Sequence, residues 1–244
     1  MKIAAYQAPL LPAGSMLAVE LIRQKLDWCE ANGVNLLCCP EAVLGGLADD
    51  AAAPQDFALR VDNGQLAATL SPLASGRVSA VIGFTETTAE RTLYNSVAVL
   101  ERGRLIGIYR KRHPAIRQSV YEPGQDSPIF TIDGLRFGIL ICNDSNFPDL
   151  AVGLAQAGAE LLLVPTNNAL RPEIAANVQA ATRQVDAALA IANGIPIVRA
   201  DIAGRNAHLL SLGSSAMTDA RGVTQSTGRP LEEMLLVHSL ADLR

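Results

Sequence analysis

The sequence predicts an α/β layered domain built on a mixed sheet, and three observations carry that reading. Short apolar runs that stop at a proline or a polar cluster recur along the chain, with helix-periodic segments between them. Two of the runs, 93–100 and 104–109, are joined by a short turn at Gly103 with no helix between them. That pair is therefore antiparallel, while helix-separated strands are free to run parallel. Finally, 49% of the residues are apolar but only 4% are aromatic, and alanine is frequent. That balance suits sheets packed closely against alanine-rich helices.

In chain order, residues 2–7 open as a strand. Ser15 offers an N-cap, after which Ala18, Leu21, Ile22, Lys25, Leu26 and Cys29 recur at helical spacing as far as Gly33. Leu36-Leu37-Cys38-Cys39 reads as a buried strand stopped by Pro40. Residues 78–84, 93–100 and 104–109 form three more strands, punctuated by Asn95-Ser96 and Gly103. A buried strand at 136–142 leads to a helix at 149–157, closed by Gly158. The apolar run 161–164 ends at Pro165. Pro172 then opens a longer helix with Ile174, Val178, Ala181, Val185 and Leu189 on one face. Late strands fall at 195–198, 211–217 and 233–237. No shift of composition divides the 244 residues, so 1–244 is expected to be a single domain, large enough to bury a core without disulfides or a structural metal.

Composition also excludes several functions. A formal charge of −4 provides no basic footprint for nucleic acid. No apolar run reaches the roughly 18 residues that a membrane span needs. The first residues enter a strand directly and lack the apolar stretch of a signal peptide, so the expected location is cytoplasmic. The four cysteines (29, 38, 39, 142) and three histidines (113, 208, 238) show no metal-ligand spacing, and no metal site is expected. Cys38 and Cys39 lie in a strand, where at least one should face the core, and Trp28 is expected to pack its helix.

Three ionisable residues follow strands, where catalytic groups of α/β folds gather. Glu41 follows the run ending at Pro40, Lys111 follows 105–110, and Cys142 closes 137–141. Taken singly these are a turn carboxylate, a surface lysine and a buried thiol. Together they form a chemistry. A thiol attacks a carbonyl or nitrile carbon as thiolate and needs a base, which Glu41 can be. Lys111 can carry positive charge beside a developing oxyanion, and free backbone N–H groups near the helix after Cys142 can add to it.

At these positions the chain resembles the nitrilase superfamily, the carbon–nitrogen hydrolases. The likeness rests on Pro40-Glu41, on Tyr109-Arg110-Lys111-Arg112-His113, and on Gly138-Ile139-Leu140-Ile141-Cys142-Asn143-Asp144 followed by Phe147-Pro148-Asp149. Lys2 to Gln7, Ala157 to Pro165 and Gly213 to Gly222 resemble further segments of the family in the same order. The resemblance implies a four-layer αββα sandwich of two mixed β-sheets flanked by helices, no cofactor, and a homodimer or larger homo-oligomer. It implies Glu41 as general base and acid, Lys111 as stabiliser of the tetrahedral intermediate, Cys142 as the thioester-forming nucleophile, and the Asn143 backbone N–H as an oxyanion donor. Many members carry a further glutamate before the glycine corresponding to Gly124. Here Arg117 stands at that offset, and Glu122 is the one carboxylate between Lys111 and Gly124. Arg117, Glu122, Asn167 and Asn168 are the candidates for the substrate pocket.

Cys142-Asn143-Asp144 looks like the N-carbamoyl-D-amino acid hydrolases, but Ser145 and Asn146 stand where those enzymes carry carboxylate-binding arginines. Arg117, Arg171 and Arg199 remain as other cations. The expected activity is an amidase releasing ammonia from a small linear amide. The alternatives are a nitrile or N-carbamoyl hydrolase using the same three residues, an N-acyltransferase, or a non-catalytic binding protein on the same scaffold. A flavodoxin-like nucleotide binder lacks its glycine-rich loop here.

Overall fold

A computed structural model describes residues 1–115 and 119–244. Its strands are β1 (Lys2–Pro9), β2 (Leu36–Cys38), β3 (Leu59–Arg60), β4 (Ser79–Thr87), β5 (Leu93–Glu101), β6 (Arg104–Arg110), β7 (Phe130–Ile132), β8 (Leu135–Ile139), β9 (Leu161–Pro165), β10 (Ile197–Ala200), β11 (Ile202–Arg205), β12 (Leu210–Ser211), β13 (Ala216–Thr218), β14 (Thr224–Thr227) and β15 (Met234–Ser239). The helices are α1 (Leu17–Ala31), α2 (Gln65–Leu70), α3 (Pro148–Gln156), α4 (Pro172–Asn193) and α5 (Leu240–Leu243).

The first sheet runs β12-β11-β1-β2-β4-β5-β6, with β15 also on β1 and β3 on β4; the second runs β14-β13-β10-β9-β8-β7. Both are mixed. β1–β2 and β2–β4 are parallel, whereas β4–β5–β6 is an antiparallel meander. Strand alternation sorts side chains into layers. Ala4, Tyr6, Leu37 and Cys39 face α1 with Ile22, Leu26 and Cys29. Ile3, Ala5, Leu36 and Cys38 point the other way, into a sheet–sheet core with Phe137, Ile139, Leu161 and Leu163. Leu162, Val164 and Ile197 bury the far face of the second sheet against Leu154, Leu189 and Ala190 of α3 and α4. The result is the αββα sandwich, with both strand cysteines buried on opposite faces.

Local readings change at several points, among them the face of α4, which buries Ala175, Asp186, Leu189 and Ala190 while Ile174 is exposed, and Asn95-Ser96, which lies inside β5. The N-cap of α1 is Met16; Ser15 lies one residue earlier and accepts the Leu17 N–H at 3.3 Å. Trp28 is 45% exposed on the outer face of α1 and does not pack its helix down. Strand β8 ends at Ile139, and Cys142 begins a 3-10 turn, Cys142–Asn146. The single strand expected at 211–217 is two: β12 ends in the first sheet and β13 begins in the second. The break falls at Gly213, with φ +80°, and at Ser214 and Ser215, which hydrogen-bond Asp201 instead of a neighbouring strand.

Candidate active site

Pro40 ends β2 and turns the chain across β4, where only a glycine lets it pass. A Cβ on Gly83 would lie 2.3 Å from the Pro40 carbonyl oxygen and 2.8 Å from Glu41 Cα. The crossing delivers Glu41 to a buried position, with Ala42 behind it at φ +45°. Both carboxylate oxygens are engaged. Oε1 accepts from Lys111 Nζ (2.5 Å) and Asn95 Nδ2 (2.7 Å), and Oε2 accepts from the Asn167 backbone N–H (2.9 Å). Lys111 arrives from the end of β6, its backbone N–H on the Asn95 carbonyl at 2.8 Å and its own carbonyl on the Gly124 N–H at 2.7 Å. Asn95 thus fixes the lysine through its main chain and the glutamate through its side chain.

The turn that carries Cys142 comes from the second sheet. Asp144, fully buried, accepts from the Ile141 N–H (3.0 Å), the His113 N–H (2.8 Å) and the Tyr109 hydroxyl (2.7 Å). One carboxylate therefore clamps the turn holding Cys142 to the segment holding Lys111. The His113 ring stacks on Phe147 at 3.6 Å, and Asn143 Nδ2 donates to the His113 carbonyl at 3.2 Å. Cys142 has φ +46°, a left-handed conformation that a side chain occupies only under constraint. The residue is half-buried, and its Sγ lies 3.8 Å from Asn168 Oδ1. Among the described residues no acceptor takes the Asn143 backbone N–H.

Electrostatics tie the three groups together. Burial and the Glu41 charge push the Cys142 thiol up to about 12, while Lys111, Arg199 and the Asn167 N–H pull it down. Burial works against the Lys111 ammonium, but Glu41 and Cys142 outweigh it and hold its pKa above the usual lysine value. Burial likewise raises Asp144 against its hydrogen bonds and the Lys111 charge.

The structure thus brings Glu41 onto Lys111 and sets Cys142 within the field of both. Asn167 and Asn168 border the same centre. Asn167 supplies the donor to Glu41, and Asn168 is anchored by its N–H to Asp201 (3.0 Å) and its Nδ2 to Ser214 (3.0 Å). Beyond Ala42 and Asn167 lies a cavity of about 110 Å³ that also meets Asp50, Ile202 and Asn206. Glu122 is exposed, held by its backbone N–H to Leu93, and Arg171 is exposed as well. Arg117 lies outside the described residues. Sequence reasoning missed the parts played by Asn95, Asp144 and Ser145. An asparagine inside an apolar strand was the available signal for Asn95, since a buried amide needs a partner. Among the described residues no cluster of His, Cys, Asp or Glu could hold a metal ion, and no helix is long and apolar enough to cross a membrane.

Two mixed sheets between helix layers, with a thiol, an ammonium and a carboxylate gathered at the strand ends, define a cysteine-bearing αββα protein. The model of the carbon–nitrogen hydrolase family matches residues 2–242, and the chain belongs to that family, within the nitrilase superfamily, being 31% identical to a probable nitrilase of Schizosaccharomyces pombe over 77% of this chain and 68% of that one. It is therefore an enzyme class that hydrolyses non-peptide C–N bonds. It is 30% identical to a "hydrolase in pqqF 5'region" of Pseudomonas protegens, over 98% of this chain and 82% of that one. It is 34% identical to an (R)-stereoselective amidase of a Pseudomonas species, over 57% of this chain and 50% of the other. It also matches a glutamine-dependent NAD(+) synthetase of Xanthomonas campestris at 27% identity, spanning 90% of this chain but only 39% of the synthetase. Among solved structures, Nit3 of Saccharomyces cerevisiae superposes at TM-score 0.86 with 20% identity, covering 98% of this chain and 89% of Nit3. An amidase of Nesterenkonia superposes at 0.82 with 23% identity, covering 97% and 89%.

Proposed function

We propose that the protein is an amidase that releases ammonia from a small linear amide through a thioester on Cys142. The observation that carries this is the Glu41 carboxylate, buried, ion-paired to Lys111 and charge-coupled to a thiol that is protonated at neutral pH. Such a thiol needs a base at the moment of attack. Oε1 of Glu41 already takes two donors and Oε2 one, so Oε2 keeps a free lone pair for the thiol proton. The sulfur adds to the amide carbon, and the carbonyl oxygen becomes an oxyanion met by the Lys111 ammonium and the Asn143 backbone N–H. Glu41 returns the proton to the nitrogen, the C–N bond breaks and ammonia leaves. Water, deprotonated by Glu41, then attacks the thioester, and the proton goes back to the departing sulfur to yield the carboxylic acid.

A small uncharged substrate is supported by the arginines. Arg199 is consumed by Asp186 and Arg171 faces solvent, so neither offers a fork to a substrate carboxylate. The (R)-stereoselective amidase relative supports an amide as the substrate class. A homodimer joined through the outer helices would cover Val152, Ile174 and Ile191, which are 39%, 38% and 63% exposed; sedimentation velocity tests it. Four free thiols accord with a cytoplasmic location.

The test is ammonia release from a panel of formamide, acetamide, propionamide, carbamoyl compounds and nitriles, with Cys142→Ala as control. Turnover of an amide that disappears in Cys142→Ala supports the reading. Ammonia release that survives in Cys142→Ala ends it, and faster release from a nitrile shifts the substrate class.

A further inference from the structure

Arg199 sits in the middle of an apolar strand, 2% exposed, and four of its five N–H groups have acceptors. Nε and Nη2 grip Asp186 of α4 at 2.9 and 2.5 Å. Its remaining bonds run toward the active site. Nη2 donates to Ser145 Oγ at 3.1 Å, and that hydroxyl donates in turn to the carbonyl of Cys142 at 2.7 Å. Nη1 donates to Thr166 Oγ1 at 2.7 Å, and the Thr166 carbonyl accepts the Glu41 N–H at 3.3 Å. Thr166 also leads directly into Asn167, whose N–H holds Glu41 Oε2.

One planar cation therefore touches the loop behind the nucleophile and the loop behind the base, and a buried carboxylate keeps it in place. Two loops from different strands need such a common anchor, and among the described residues no other group bonds both Ser145 and Thr166. We propose that Arg199, through Ser145 and Thr166, is a positioning residue that sets Cys142 in register with Glu41 for attack on the substrate. It rests on the reading of Cys142 as nucleophile. The pattern explains why an arginine is used. A lysine would keep the charge but presents no rigid fork for three acceptors at once. The left-handed φ of Cys142 also acquires a cause, since its carbonyl is pinned from below by Ser145.

The test uses Ser145→Ala and Arg199→Lys in the full chain, assayed on the best amide of the panel and by iodoacetamide labelling read by intact mass. The expected result is a kcat lowered roughly 10- to 100-fold with KM within about twofold, as for a misplaced attacking group. Cys142 should label within about threefold of the wild-type rate, because its charge environment is retained, while Cys38 and Cys39 stay unlabelled in a folded protein. Wild-type kcat in either folded variant overturns the inference. Labelling of Cys38 and Cys39, or loss of the fold, in both variants also overturns it, because the network would then serve stability alone. The underlying reading fails separately: ammonia release persisting in Cys142→Ala would remove it, whatever Ser145 and Arg199 do.

Discussion

In the proposed mechanism the Glu41 carboxylate acts on the Cys142 thiol in two opposite ways, and single substitutions separate them. As a base it removes the thiol proton; as a charge it holds that proton on, together with burial. Glu41→Gln should therefore lower kcat for amide hydrolysis by about 10²–10⁴. Labelling of Cys142 by iodoacetamide at neutral pH should be no slower than in the wild type, because the Glu41 charge then no longer adds to burial against the pull of Lys111 and Arg199. Parallel loss of hydrolysis and labelling would contradict this division. Lys111→Met should do more damage, since it strands a buried carboxylate. About 3–5 kcal/mol of stability should go with it, visible in urea denaturation, alongside turnover. Cys142 offers a third comparison. Cys142→Ala keeps the left-handed backbone penalty and Cys142→Gly removes it, so the glycine variant should be more stable by about 0.5–1 kcal/mol in thermal melts. The three candidate residues were legible in the sequence because a carboxylate, an ammonium and a thiol each stand where an apolar run ends. Arg199, Asp144 and Asn95 were not, because their value lies in partners 13, 31 and 54 residues away that only the fold brings near.

At the scale of elements, the boundaries set by local chemistry were readable. Pro40 ends β2, Pro172 opens α4, and Gly194 in a left-handed conformation closes it. Of the strands of two to four residues, β2 and β10 were readable as apolar runs, but β3, β7, β11, β12 and β14 were not readable or were misjoined, since so short a run has no period of its own. The pair β12 and β13 shows why. Residues 211–217 look continuous, yet Asp201 captures Ser214 and Ser215 and diverts the chain to the other sheet. The crossing of Pro40 over β4 yields a prediction that belongs to this scale. Gly83→Ala places a methyl group against main chain on both sides of Glu41, and rigid backbone cannot yield as a side chain would. A loss of about 1–3 kcal/mol is expected, with kcat falling further than the melting temperature alone explains. An unchanged kcat in the folded variant would mean that the crossing does not set the position of Glu41.

Across the whole molecule the candidate site is divided between the sheets. Glu41 and Lys111 extend from strands of the first, and Cys142 follows a strand of the second. Their alignment therefore depends on how the two sheets seat on each other, which the inner core decides. Leu163 fills that inner core, whereas Leu26 fills the layer under α1, and both are fully buried. Leucine-to-alanine substitution at either should cost about 2–5 kcal/mol. Only Leu163→Ala should also depress kcat well below the unfolding range, because only that cavity lets the sheets shift. Equal activity in the two variants would show that the inner core tolerates the gap.

The pairing of β1 with β15 bears on how the chain is made. Lys2 to Gln7 lie against Met234 to Ser239, and the Met1 carbonyl accepts the Leu240 N–H at 2.9 Å. Residues 2–7 leave the ribosome long before 234–239, so one flank of β1 stays open until β15 emerges. Nascent chains halted before residue 234 should expose that flank, call on chaperones, and clump when released without them.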